Sequence, residues 1–180
     1  MTTSQPASPT VERLREDQIT AAAGVLARAF QNDPPVAYGI PNPAERARIL
    51  PTFMKPFVTF ASLFGEAYVT TGKLESVAIW LPLDNLDERP EQNHQAGIDT
   101  IPSIVGREAS ARFMNIIRFV EAFHQRFAAD RHLYLQWLGG NSAAAALFSI
   151  GHRSTLPATA VRVPDTARQA VGKLPVRTLD

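Results

Sequence analysis

The sequence predicts an α+β fold in which a mainly antiparallel sheet is flanked by helices. Three observations predict it. Two β-rich runs, Glu66-Ala67-Tyr68-Val69-Thr70 and Ser76-Val77-Ala78-Ile79-Trp80-Leu81, flank the tight turn Thr71-Gly72-Lys73-Leu74, the pattern of a β-hairpin. On either side of it, apolar residues recur at three- and four-residue steps, as helices with one buried face require. A further β-rich run, His132-Leu133-Tyr134-Leu135-Gln136-Trp137-Leu138, ends in Gly139-Gly140. With 45% hydrophobic residues among 180, the chain can bury the core of one sizeable domain.

Residues 1–9 are rich in Ser, Thr and Pro and are expected to be disordered. Thr10–Arg15 alternates apolar and polar residues, as a half-buried strand does. Glu16-Asp17 then places acids at a helix start, and Ile19, Ala22, Ala23, Leu26, Ala29 and Phe30 supply its apolar stripe. Asn32-Asp33-Pro34-Pro35 stops that helix, because the residue before a proline is pushed out of the helical region. Asn42 caps a second helix that opens on Pro43, with Ile49, Leu50, Phe53, Met54, Phe57, Phe60, Ala61 and Phe64 on one face. Pro51 and Pro56 are expected to kink or split it.

After the hairpin, Pro82 ends the second strand and the polar stretch 83–97 reads as a loop. A weak helix starts near Ile98. The strongest helical pattern runs from about Arg107 to Ala129, with Phe113, Ile116, Ile117, Val120, Phe123 and Phe127 turned inward and Arg112, Arg118, Glu121 and Gln125 toward water. The expected organisation is thus a disordered start at 1–9, one domain over 10–140 and a poorly ordered tail over 141–180.

The charge excludes some functions. Of 18 basic and 17 acidic residues, five and two fall within 141–180, leaving 13 and 15 before it. A slightly acidic domain with a mildly basic tail and no basic stripe predicts no nucleic-acid partner. No apolar run approaches the roughly 20 residues that span a bilayer, and the first ten residues lack the basic and apolar regions of a signal peptide, so no membrane role and a cytoplasmic location are expected. The absence of cysteine excludes disulfides, thiolate metal sites and thiol nucleophiles. His94, His124, His132 and His152 have no metal-ligand spacing, and Ser149 and Ser154 lack the context of an activated nucleophile, so no metal and no serine hydrolysis are expected.

The element order resembles the GNAT superfamily of N-acetyltransferases, in particular bacterial members. Four stretches carry the likeness: Arg28-Ala29-Phe30-Gln31-Asn32-Asp33-Pro34, the Glu66–Pro82 hairpin with its Gly72-Lys73-Leu74-Glu75 turn, Ala78-Ile79-Trp80-Leu81-Pro82, and His132-Leu133-Tyr134-Leu135-Gln136-Trp137-Leu138-Gly139. The likeness covers residues 10–139 and rests on order and pattern more than on one diagnostic motif.

The resemblance implies transfer of an acetyl group from acetyl-CoA, as co-substrate, to the primary amine of a small molecule or peptide. It implies that the strand at 133–138 is central and splayed, with backbone groups of Leu138, Gly139 and Gly140 held open to the pantetheine arm. Trp80, Tyr134 and Trp137 would then border the acceptor cleft; core packing is their competing reading. Glu66, at the start of a hairpin strand, is the candidate general base, with a solvated strand-end carboxylate as its competing reading.

The family follows that strand with a glycine-rich loop whose amides hold the pyrophosphate at a helix N-terminus. Here Gly140-Asn141-Ser142-Ala143 continues to Gly151-His152-Arg153 with no Gly-x-Gly, and from Leu147 onward there is no Glu and one aromatic residue, Phe148. The resemblance is therefore to a C-terminally incomplete domain. Two readings follow: an acetyltransferase impaired by the missing loop, or a non-catalytic remnant that acts as a binding module and presents an exposed sheet edge to a partner or to another copy. A shifted reading frame after Gly140 is one origin for the change. Codons for Gly151-His152-Arg153 read one base later can encode Gly-Ile-Gly, and the nucleotide sequence of the gene tests this.

Overall fold

A computed structural model describes residues 10–82, 90–127 and 133–140, without the side chains of residues 121, 123–127 and 133. The described residues form an α+β structure with a four-stranded antiparallel sheet in the order β1 (Val11–Arg13), β2 (Glu66–Thr70), β3 (Ser76–Pro82) and β4 (Leu133–Gly140). Six α-helices accompany it among the described residues: α1 (Ile19–Ala29), α2 (Pro34–Gly39), α3 (Pro43–Phe64), α4 (Pro90–Ala96), α5 (Ile101–Val105) and α6 (Arg107–Phe127).

The hairpin forms where its turn chemistry requires. Gly72 (φ 78°) and Leu74 (φ 48°) both adopt the left-handed conformation, which costs nothing for glycine and about 1 kcal/mol for a residue with a side chain. The Thr70 hydroxyl offsets part of that cost, accepting hydrogen bonds from the backbone N–H groups of Glu75 (2.9 Å) and Ser76 (3.1 Å).

α1 and α3 pack together on one face of the sheet. Leu26 of α1, Leu50, Met54 and Val58 of α3, and Val69, Val77 and Ile79 of the sheet are wholly buried between them. At about 1.5–3 kcal/mol per buried side chain, this layer is the main source of stability. α4 and α5 contact α3, and α6 packs on α2 and α5, so these helices form an outer layer away from the strands.

Several expectations need correction. Pro51 and Pro56 lie within one continuous 22-residue helix. Each proline removes the bond to the carbonyl four residues earlier. Those carbonyls belong to the exposed residues Ala47 and Thr52, where water can satisfy them, while the buried stripe holds the helix on the sheet. Asn42 does cap it, its side chain accepting the Glu45 N–H at 3.0 Å. The double proline at 34–35 stops α1 and also starts α2, because proline suits the first helical turn. The stretch expected as loop contains α4, and residues 83–89 lie outside the described residues.

The long helix is present as α6, but its inward face is narrower than the periodicity implies. Phe113 stacks on Phe53 with ring centroids 4.9 Å apart, and a Cβ at Gly39 would collide with the tip of the Phe113 ring. Arg112, expected in water, is half-buried and donates from Nε to the Gly39 carbonyl at 2.9 Å. Ile117 and Val120, expected inside, are exposed. No helix among the described residues is long and apolar enough to cross a membrane.

Candidate functional site

The strand carrying most of the candidate residues is β4. Among the described residues it is an edge strand, paired with β3 on one side only. Its register runs from Ser76 opposite Gly140 to Ile79 opposite Trp137, then jumps, so that Trp80 faces Leu135 and Leu81 faces Tyr134. Gln136 is the extra residue of this β-bulge. A bulge leaves one residue out of the ladder and sharpens the local twist.

The bulge decides which side chains share a face. Trp137 and Gly139 lie on the helical face with Ile79 and Val77. Trp137 sits between Phe30 of the α1 C-terminus (centroids 4.8 Å, edge-on) and Phe57 of α3 (5.7 Å). Its buried Nε1–H has no hydrogen-bond partner among the described residues. Tyr134, level with Leu81, shares that face, and burial raises its phenol pKa, so it stays protonated at neutral pH. Trp80 lies on the opposite face, in register with Glu66 and Leu135. The structure thus brings Tyr134 and Trp137 together and sets Trp80 with Glu66 across the sheet from them.

Glu66 has a close partner that the sequence analysis did not single out. Tyr68, two residues along the same strand face, donates its hydroxyl to Glu66 Oε2 at 2.7 Å. Burial, then the Glu66 hydrogen bond and charge, push the Tyr68 pKa up to about 12. The i, i+2 spacing of Glu66 and Tyr68 in a strand was the available signal.

At the end of β4, Gly139 lies against α1. A Cβ there would meet the Ala29 methyl at 2.8 Å and Leu26 and Phe30 at 3.1 Å each. Gly140 has φ 138° and is backed by Glu75 and Ser76, so it too excludes a side chain. Between the outer surface of α1, the hairpin turn and Gly140 lies an open cleft of about 520 Å³, bordered by Arg28, Lys73, Leu74 and Glu75. No sequence spacing pointed to this grouping, since α1 and the hairpin turn meet only through the fold. Among the described residues, no group of three or more His, Asp or Glu side chains could hold a metal ion.

No protein-family model matches this chain, and no curated protein matches it.

Proposed function

We propose that the protein is a GNAT-type, acyl-CoA-dependent N-acyltransferase fold that takes its thioester along β4. One observation supports this best. The bulge at Gln136 lies two residues before Leu138-Gly139-Gly140 on a strand whose far edge faces no described strand, and α1 closes tightly on Gly139. Amide groups along such an edge can pair with an extended amide-containing arm, as an added strand does.

In the reaction, the neutral amine of a small molecule or peptide attacks the thioester carbonyl. The N–C bond forms, the C–S bond breaks, and the proton lost by the amine ends on the departing thiolate. Strand N–H groups would stabilise the developing oxyanion. Glu66, beside Trp80, is the candidate base, which requires the amine to approach on the sheet face opposite α1. The second reading, a binding module without turnover, is favoured by the absence of Gly-x-Gly after Gly140.

Calorimetric titration of the full chain with acetyl-CoA, followed by a free-thiol assay with a panel of primary amines, tests both readings. Micromolar binding with thiol release supports the enzyme, and binding without release supports the module. No binding at millimolar acetyl-CoA overturns both.

A further inference from the structure

The cleft at the end of β4 carries more than a place for the thioester arm, because it gathers two cations that make no ion pair among the described residues. These are Arg28 and Lys73, which border it. The Arg28 guanidinium lies back along α1 over Gly24, where a Cβ would sit 3.5 Å from Nη1. Lys73 is carried by the turn that the Thr70 hydroxyl holds in place. Glu75 is the opposing charge and leaves the cleft a net positive wall. Gly140, which excludes a side chain, forms the border toward β4.

The geometry points to an anion clamp in which Arg28 and Lys73 hold the phosphate-bearing end of a ligand whose other end lies along β4. The chemical class is a phosphate ester or diphosphate. Arginine offers a planar fork for two phosphate oxygens, and lysine adds a point charge. The cleft adjoins the terminus of β4, so a ligand paired with Leu138–Gly140 would leave the strand toward these two cations. The clamp lies between α1 and the hairpin, on the chain before β4, and uses none of the residues that follow Gly140. It rests on the acyl-CoA reading for the identity of the ligand and on the cleft alone for its charge.

Binding of coenzyme A, acetyl-pantetheine (which lacks phosphate) and inorganic pyrophosphate is measured for the full chain, for the double variant Arg28→Gln/Lys73→Gln and for Glu75→Gln. Arg28, Lys73 and Glu75 are exposed, so these variants keep the core. Each cation removed is expected to weaken coenzyme A roughly tenfold, about a hundredfold together, with acetyl-pantetheine unchanged. Glu75→Gln is expected to tighten coenzyme A, and pyrophosphate to compete with it, less so at high salt. Coenzyme A binding that is equal in the double variant and the parent overturns the clamp and leaves the acyl-transfer reading standing. Pyrophosphate binding that the double variant loses, with no binding of acetyl-pantetheine, keeps the clamp and overturns that reading. No binding of any of the three overturns both.

Discussion

α3 and α6 are almost the same length, 22 and 21 residues, and they reverse what local propensity alone would lead one to expect. α3 carries two internal prolines yet buries Leu50, Met54, Val58 and Ala61 completely. α6 has no proline and a clear apolar stripe, yet Phe119 is 73% exposed and Ile117 and Val120 also face outward. The difference lies in what each helix meets. α3 rests on the sheet beside α1 and also meets α4 and α5, so its apolar side chains have partners on several sides. α6 meets α2 and α5, two short helices, and secures itself mainly through Phe113 and Arg112. Burial against the sheet outweighs the two hydrogen bonds the prolines remove; among the described residues α6 meets no partner of matching length, and Ile117 and Val120 of its stripe stay outside.

Four measurements can break or sharpen that contrast. The largest effect is expected for Leu50→Ala, which opens a cavity in the α3 layer and should cost about 2–5 kcal/mol in denaturant unfolding. Arg46→Met should cost roughly 2–3 kcal/mol by the same measurement. It removes the donors from Nε to Gln31 O (2.6 Å) and from Nη1 to Ile40 O (2.7 Å) and Pro41 O (3.1 Å) at a site where the cation is only 5% exposed. Phe119→Ala on α6 should change stability by no more than about 0.5 kcal/mol. A cost comparable with that of Leu50→Ala would mean that the α6 face is covered and would erase the contrast.

The smallest effect belongs to the exposed end of α4. His94 Nδ1 lies 2.7 Å from Asp99 Oδ2, and that hydrogen bond, then the Asp99 charge, raise the imidazole pKa above 6.5. A raised folded-state pKa means that the pair stabilises the protein fully below pH 6.5 and stops doing so as pH rises through the raised midpoint. An NMR titration of His94 should show a midpoint above 6.5 that falls in Asp99→Asn. An unchanged midpoint would remove Asp99 as the cause.

Much of the inner layer was legible in the sequence because its signals are local. The glycine turn gave the hairpin, and Asn42-Pro43 gave the start of α3. The outer helices α2 and α4 were not legible, since seven residues or fewer offer little periodicity and their prolines read equally as breakers. The candidate site was legible only in part. Strict alternation along His132–Leu138 would place Tyr134 and Leu138 on one face, whereas the bulge at Gln136 puts Tyr134 with Trp137 instead. A bulge depends on pairing with β3, and no residue of β4 announces it. Arg28 and Lys73 were visible as residues but not as neighbours, because the fold alone brings α1 to the hairpin turn.

Arg46 has a consequence for how this protein meets acid. Its three acceptors are peptide carbonyls, and it makes no ion pair with a carboxylate among the described residues. Carbonyls do not take up protons between neutral and mildly acidic pH, and fixed dipoles at hydrogen-bond distance are little screened by salt. The segment from Gln31 to Pro41, with the α2 turn inside it, is therefore fastened by a joint that neither acidification nor ionic strength loosens. The exposed pairs of Arg15 with Glu12 and Asp17 are joints of the other kind, charge against charge in water, and salt screens them.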